Sequence, residues 1–178
     1  MTYISLLRGI NVSGQKKIIM KDLKALYESL GFENVVTYIQ SGNVIFKSNK
    51  SEDVLIELIE KAISNKYGFD VPVQIRSTGE FEHIIKACSF GELDLVEEGT
   101  RVMVTFLALV PSTEFVAKLM TYVKEPERLL IVGREVYLHC PNGYGKTKLS
   151  NIFIENKLKV KATTRNWKSV IKLYELSK

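Results

Sequence analysis

The chain contains few of the residues that build metal sites, disulfide frameworks and membrane spans. Its 178 residues include only two cysteines, Cys88 and Cys140, and only two histidines. They show neither CxxC nor HxxxH spacing, so we expect no metal site, and no motif predicts a cofactor. No apolar run approaches about 18 residues, so we expect no membrane-spanning helix.

The amino terminus and the cysteines together suggest a compartment. Residues 1–14 lack the basic segment that precedes the apolar run of a signal peptide, and they resemble a first strand instead. Without a secretion signal, two cysteines are expected to be free thiols in a reducing environment. We therefore expect a cytoplasmic protein that does not contact membranes.

The composition is that of a soluble globular protein, with 46% hydrophobic and 25% charged residues. The length suits one domain or two small ones. The net charge of +5 is unevenly distributed: residues 1–50 carry +4, residues 51–143 carry −6 and residues 144–178 carry +7. If the basic ends meet in space, they form a surface that attracts phosphate groups. The alternative is a set of solvated lysines on helix faces.

Hydrophobic periodicity in the first half predicts a ferredoxin-like order. Apolar residues three and four apart predict helices, and short runs rich in β-branched and aromatic residues predict strands. The resulting order of strand, helix, strand, strand, helix, strand is the split βαβ pattern. Pro72 in the last of these strands points to a sheet edge. The predicted bounds are 2–7 (strand), 20–30 (helix), 35–40 and 43–47 (strands), 51–67 (helix) and 71–76 (strand).

The second half repeats this order after a short helix over 81–88 and an acidic link over 89–99, which we take as the domain boundary. The predicted fold class is α+β, with two ferredoxin-like (α/β-plait) halves over 1–90 and 100–178, antiparallel sheets and a C-terminal helix. Gly133-Arg134 predicts a two-residue hairpin turn. Thr164 is predicted to cap the last helix, which buries Trp167. The other predicted bounds are 101–110, 128–132, 135–140 and 159–162 (strands), a helix from 111, and a helix over 147–158.

The stretch 142–151 is the densest run of glycine, basic and amide residues in the chain. Because it opens a predicted helix, Gly143, Gly145 and Lys146 could bind a phosphate or carboxylate at the helix N-terminus. Its Gly-Lys-Thr sequence also occurs in Walker A loops, but Cys140 stands where that motif requires its first glycine, which disfavours a nucleotide hydrolase. The alternative is a glycine-rich turn that binds nothing.

Two further features bear on ligand binding. The loop of residues 9–17 follows a strand and is either a ligand loop or a plain connection. RNA-recognition domains share the ferredoxin-like order, but their central strands carry paired aromatic residues on which bases stack. The predicted third strand, 43–47, lacks such a pair, so that mode of RNA binding is disfavoured.

Three separated motifs resemble one family. They are Leu6–Val12, Tyr38–Val44 and Thr163–Trp167, and the likeness extends through Phe69–Val73 and Gly145–Leu149. Together they resemble the largely bacterial family known as domain of unknown function 1697. The resemblance implies an α+β protein with two ferredoxin-like halves, which agrees with the repeated order above. It implies no activity and therefore no catalytic residue.

The motifs are unusually polar, and polar motifs indicate either a binding site or a buried hydrogen-bond network. We expect their polar residues to converge with nearby lysines on a basic cleft between the halves. The candidate ligand-binding residues are Arg8, Asn11, Lys16, Gln40, Ser41, Asn43, Lys146, Lys148, Arg165 and Asn166.

Three functions remain open at this point. The first is binding of an anionic ligand, with nucleic acid preferred over a small phosphate. The second is an enzyme acting on a small phosphorylated or carboxylated metabolite. The third is a structural or protein-interaction module, which is favoured if the polar motifs prove buried and paired. The sequence does not indicate an oligomeric state.

Overall fold

The computed structural model describes residues 1–90 and 93–178, so Glu92 of the predicted acidic link lies outside the described residues. By its internal contacts the chain divides into two compact units. The first comprises Met1–Glu82 and Leu173–Lys178, and the second comprises His83–Lys172. Within the described ranges, no helix combines the length and the hydropathy needed to cross a membrane.

The first unit is built on a four-stranded antiparallel sheet in the order β2-β3-β1-β4. This order, with two helices as connections, is that of a ferredoxin-like fold. Strand β4 lies at an edge, as Pro72 predicts. The elements are β1 (Thr2–Leu7), α1 (Met20–Ser29), β2 (Glu33–Tyr38), β3 (Asn43–Lys47), α2 (Glu52–Tyr67), β4 (Val73–Ser77) and α3 (Thr78–Ala87), which continues into the second unit.

The second unit repeats the same topology, with the sheet order β6-β7-β5-β8. Gly133-Arg134 joins β6 to β7 as the predicted hairpin. The predicted fold class, two ferredoxin-like halves and a C-terminal helix, is therefore confirmed. The elements are β5 (Val102–Leu107), α4 (Thr113–Met120), β6 (Arg128–Val132), β7 (Glu135–His139), a short 3₁₀ helix (Tyr144–Lys146), α5 (Asn151–Leu158), β8 (Ala162–Asn166) and α6 (Trp167–Ser177).

An aromatic cluster stabilises the core of the first unit. The rings of Phe32 and Phe46 stack with centroids 4.6 Å apart, and Tyr27 meets Phe46 edge to face at 5.4 Å. Such pairs stabilise by about 0.5–1.5 kcal/mol beyond their burial. The Tyr27 hydroxyl shares a 2.9 Å hydrogen bond with the Ser5 hydroxyl, and burial raises the pKa of Tyr27. The one polar group in this cluster is thus paired, as a buried hydroxyl must be.

The helix predicted over 147–158 begins later, at Asn151. Ser150 is extended and its hydroxyl accepts a hydrogen bond from the Phe153 amide, which makes it the N-cap. Thr147 is also extended, with ψ at 145°, so the helix cannot reach back to it. Contrary to the prediction, Gly143, Gly145 and Lys146 therefore do not lie at the N-terminus of α5 but in the short 3₁₀ helix Tyr144–Lys146 and its N-cap.

The last strand is Ala162–Asn166 and not the predicted 159–162. Lys159 ends α5 in the left-handed conformation, with φ at 57°, and thus belongs to a helix cap. Thr164 lies within β8, and the side chain of Asn166 accepts the hydrogen bond from the Ser169 amide at the start of α6. Strand β8 is held at the sheet edge by backbone pairing with β5. Backbone pairing does not require apolar side chains, so a polar sequence can form this strand. Trp167 is buried, as predicted.

Other predicted bounds differ by a few residues. The largest differences are three residues: α3 begins at Thr78 and not at 81, and β5 ends at Leu107 and not at 110. Leu109 and Val110 follow the strand and are exposed. The apolar run continues beyond the strand, so hydrophobicity alone misplaces its end.

Gly42 and Gly31 form a matched pair for testing how closely the first unit is packed. Both have φ near +80°, a conformation that costs other residues about 1–2 kcal/mol. A Cβ at Gly42 would lie 2.6 Å from Ile10 Cδ1 and 2.8 Å from Leu7 Cβ, whereas one at Gly31 meets nothing within 4 Å. We expect Gly42→Ala to lower the free energy of unfolding by about 1–3 kcal/mol more than Gly31→Ala does. Urea unfolding of both variants measures this, and equal losses would contradict the packing argument.

Candidate functional site

Six of the ten predicted site residues lie in the first unit, around the point where the chain leaves β1. We call this region the β1 corner; it comprises residues 8–19, the hairpin turn 39–43 and Pro72. The Leu7 amide donates to the Gly42 carbonyl (2.8 Å) and the Arg8 amide to the Pro72 carbonyl (3.0 Å). The first two motifs of the sequence are therefore neighbours in space.

Asn11 holds the β1 corner together. Its side-chain amide donates to the carbonyls of Ile18 and Gln40, both at 2.9 Å, and its Oδ1 accepts from the Ile18 amide at 2.9 Å. Its φ of 56° is left-handed, which asparagine tolerates better than most residues. Asn11 thus joins the loop to the hairpin turn, and the polar atoms of its side chain bond to the backbone.

Asn43 has a similar internal role in the hairpin turn. It is fully buried, and its amide donates to the Tyr38 carbonyl and to the Ser41 hydroxyl, both at 3.0 Å. Buried amides need such partners, because an unpaired one costs about 1–3 kcal/mol. The polar character of the second motif therefore has a structural explanation in the geometry of this turn.

The remaining predicted residues of this corner are more accessible. Arg8 is half-buried, and the Lys16 ammonium donates to the Asp70 carbonyl at 2.6 Å. Gln40 is exposed and borders a groove of about 430 Å³. The residues that line this groove are Asn11, Gly14, Lys17, Ile18, Ile19 and Gln40.

Arg165, in the second unit, is a buried cation. It is 8% exposed, and its guanidinium donates to the Thr163 hydroxyl (3.1 Å) and the Thr164 carbonyl (2.9 Å). Burial lowers the pKa of Arg165 to about 10, so it remains charged at neutral pH. Removing it would leave buried polar groups unpaired, so Arg165→Ala is not a clean probe of surface binding.

Arg76 occupies the equivalent position in the first unit, which sequence analysis missed. It lies opposite Ile4 in the sheet, as Arg165 lies opposite Val104, and each is the second-last residue of an edge strand. Arg76 is 1% exposed and likewise donates to the preceding carbonyl, that of Ile75, at 2.8 Å. The sequence did contain a signal for Arg76: an arginine lies near the end of the last strand in both halves of the repeated order.

The glycine-rich stretch is tied to the sheet of the second unit by a hydrogen-bond chain. The Tyr144 hydroxyl accepts from the Asn151 amide at 2.8 Å, and Asn151 Oδ1 accepts from the Thr164 hydroxyl at 2.8 Å. That hydroxyl also bonds to Thr105 at 2.7 Å. Protein groups therefore already occupy amides at the start of α5 that an anion would need.

Cys140 and His139 are neighbours on the chain but have separate partners. The Cys140 thiol donates to the Arg101 carbonyl at 3.0 Å, and burial raises its pKa to about 11, which keeps it protonated at neutral pH. His139 Nε2 lies 3.3 Å from a carboxylate oxygen of Glu98. Among the described residues, no three His, Cys, Asp or Glu side chains form a group that could hold a metal ion.

A cationic cluster with aromatic partners lies on and beside the packed helices α4 and α5. We call it the lysine–aromatic patch; it consists of Lys118, Tyr122, Lys148, Phe153 and Lys157. The two rings meet edge to face with centroids 5.1 Å apart. The Lys157 ammonium lies 3.1 Å from the Tyr122 hydroxyl and 4.5 Å from the centre of its ring, and the Lys148 ammonium lies 5.2 Å from that centre.

The lysines of the patch act together on Tyr122. The hydrogen bond and charge of Lys157 lower the pKa of Tyr122, and the charges of Lys118 and Lys148 lower it further. None of the three lysines forms a salt bridge with a carboxylate within residues 1–90 and 93–178. Three positive charges without such a salt bridge favour attraction of anions.

Sequence analysis named Lys148 of this patch and the exposed Lys146 two residues before it, but missed the other four members. A signal was present for one pair, since Phe153 and Lys157 are four residues apart and lie on the same face of α5. Lys118 and Tyr122 have the same spacing, but Tyr122 lies in the turn after α4. That the two pairs belong together could be seen only from the packing of α4 against α5.

Comparison with known proteins adds a family and a fold. A family model described as "Protein of unknown function (DUF1697)" matches residues 1–137. A conserved bacterial protein, SP0830, from Streptococcus pneumoniae has a similar solved structure, with a TM-score of 0.74 and 25% sequence identity. The likeness covers 99% of this chain and 98% of that one. None of the curated proteins compared with the chain matches it.

The Asn11 contacts generate a local prediction. Asn11→Ala leaves the Ile18 amide and two carbonyls without their side-chain partner, so we expect a loss of about 1–3 kcal/mol in unfolding free energy. We also expect faster amide hydrogen exchange across residues 11–19 and 39–42. The matched control is Gln40→Ala, because Asn11 bonds to the Gln40 backbone and not to its side chain. Similar exchange in both variants would contradict the role of Asn11.

Proposed function

Since the chain belongs to the DUF1697 family of proteins of unknown function, which brings no activity with it, we propose a function from the surface itself: binding of single-stranded nucleic acid on the lysine–aromatic patch. The observation that carries this proposal is the gathering of three lysines around Tyr122 without a neutralising carboxylate among the described residues. We retain the anionic ligand expected from the sequence and assign it to the lysine–aromatic patch.

Charge supplies the attraction in this proposal. Each lysine that contacts a phosphate releases a counterion bound to the nucleic acid, and this release favours binding at low salt. Lys118, Lys148 and Lys157 come from two different helices and the loop before one of them, so they can contact successive phosphates. Lys146 is exposed and close along the chain, and could extend the same track.

The aromatic pair supplies a reason for preferring single strands. A base that stacks on Tyr122 or Phe153 must displace lysine ammonium groups that lie 4.5–5.6 Å from the ring centres. An exposed cation–π contact is worth about 0.5–1 kcal/mol. Stacking of a base on an aromatic side chain is worth about 1–3 kcal/mol. Each ring carries two such contacts, worth about 1–2 kcal/mol together, so stacking offsets their loss. The displaced ammonium groups remain free to contact the phosphates.

Eight predicted site residues take no part in this proposal. Among them, Asn11, Asn43 and Arg165 form hydrogen bonds within the protein, which favours a structural role for the motifs that contain them. These hydrogen bonds support the hypothesis of a structural or protein-interaction module, but only for those motifs. The lysine–aromatic patch lies outside all three of them. An enzyme acting on a small metabolite stays a prediction.

Removal of the three lysines tests the proposal. We expect Lys118→Ala/Lys148→Ala/Lys157→Ala to weaken binding of fluorescently labelled single-stranded RNA and to reduce the slope of log affinity against log salt by about 2, since each contact with a single strand contributes about 0.7. Fluorescence anisotropy at several salt concentrations measures both quantities. Circular dichroism verifies that the variant is folded.

The matched control removes three exposed lysines of the first unit, Lys21, Lys47 and Lys61. Both triple variants lose the same net charge, so only a specific role of the patch separates them. If both triple variants bind RNA equally weakly, the binding is a general effect of net charge and the patch has no specific role. Absence of binding by the wild-type protein at low salt would rule out the proposal.

The lowered pKa of Tyr122 predicts an alkaline limit to binding. A tyrosine ordinarily ionises near pH 10, and here the lysines stabilise the phenolate at a lower pH. Its negative charge would repel phosphates, so we expect wild-type affinity to begin to fall at a pH below the ordinary tyrosine pKa of about 10. Tyr122→Phe keeps the ring and should delay that fall. Tyr174→Phe, which also has a lysine over its ring, is the control; identical pH profiles for all three proteins would contradict this role of Tyr122.

A further inference from the structure

The second unit presents an exposed aliphatic side chain on an acidic turn. Val96 is 91% exposed, and its neighbours Asp94 and Glu97 are exposed as well. The turn is well formed: the Asp94 carboxylate accepts from the amides of Val96 (2.9 Å) and Glu97 (3.3 Å), and the Glu98 amide donates to the Asp94 carbonyl at 2.9 Å. Val96 is therefore displayed by an organised turn. We call residues 93–98 the acidic turn.

The groove of the β1 corner also exposes aliphatic side chains, but its charge is positive where that of the acidic turn is negative. Ile18 and Ile19 line it, and Ile19 is 67% exposed. Val12, in the same loop, is 58% exposed. Lys17 also lines the groove and is exposed, whereas the neighbouring Lys16 donates to the Asp70 carbonyl. The groove therefore combines apolar surface with an exposed cation.

The wall of this groove is built before anything binds. Asn11 fixes Ile18 and Gln40 to each other through its three hydrogen bonds. A preformed surface binds more tightly, because less conformational entropy is lost when the complex forms. The same reasoning applies to the acidic turn, which its own Asp94 contacts hold in place.

We propose that the groove of the β1 corner receives the acidic turn of a second copy of this chain. Val96 would bury its side chain against Ile19, and Glu97 would face Lys17. The two surfaces are complementary, because both expose aliphatic side chains, the groove beside the cation of Lys17 and the turn between the carboxylates of Asp94 and Glu97. Complementary charges also suppress wrong partners and fix the register of the contact.

The geometry of this contact determines how association proceeds. The groove and the turn are different surfaces, so the contact is heterologous, and each copy has one groove and one turn to offer. Such contacts either close into a ring or continue as an open chain. Because one turn in one groove buries little area, we expect weak and reversible association that increases with protein concentration.

Complementary charge reversals test the proposal. Sedimentation velocity of wild-type protein over a range of concentrations should show a mass that rises above the monomer. Lys17→Glu alone and Glu97→Lys alone should each stay monomeric at concentrations where the wild type associates, because each places like charges in contact. An equimolar mixture of the two variants should associate again, since every groove then meets a turn of opposite charge.

A matched pair of reversals controls for net charge. Lys21→Glu and Glu57→Lys change exposed residues of the first unit outside the groove and should associate as the wild type does, alone and mixed. A wild-type protein that is monomeric at every concentration would overturn the proposal, as would a mixture of Lys17→Glu and Glu97→Lys that fails to recover. Weaker RNA binding by Lys17→Glu, with no self-association in the wild type, would instead assign the groove to nucleic acid.

Discussion

Both units depend on one constraint, which is that the first strand of each lies in the interior of its sheet. Strand β1 is paired on both sides, to β3 and β4, and β5 is paired in the same way to β7 and β8. The chain that leaves such a strand must pass between its two neighbours. At that point the Leu7 amide bonds to Gly42 and the Arg8 amide to Pro72, and in the second unit the Leu107 and Ala108 amides bond to Arg134 and Lys161. The polar motifs of the first unit are assembled around this crossing point.

The crossing point explains why so many polar residues are needed there. A loop that turns between two strands presents backbone groups that no regular ladder can pair, and buried groups of this kind are costly when left unpaired. Asn11 and Asn43 supply the missing partners through their side-chain amides. The buried guanidinium groups of Arg76 and Arg165 similarly bond to carbonyls on the edge strand of each unit. Polarity in these motifs is thus a requirement of the topology.

The two proposed binding surfaces consist of exposed residues that the topology does not require. The lysines around Tyr122 contribute charge without salt bridges to described carboxylates, and the helices beneath them would fold with many other exposed residues. Val96 and Ile19 are similar, because aliphatic side chains that are so exposed contribute little to the core. The two proposals therefore rest on exposed groups that the fold itself does not require.

The sequence by itself determined the type and order of the elements, the two ferredoxin-like halves, the Gly133-Arg134 hairpin and the burial of Trp167. These follow from periodicity and turn chemistry, which act over a few neighbouring residues. It misplaced β8, because a polar edge strand such as Ala162–Asn166 is defined by its pairing with β5 and carries no apolar signal of its own. Only the tertiary structure decided that Arg165 is buried and that Lys118 and Lys157, from two different helices, both act on Tyr122. Burial and charge clustering depend on which distant elements pack together, and no local pattern records that.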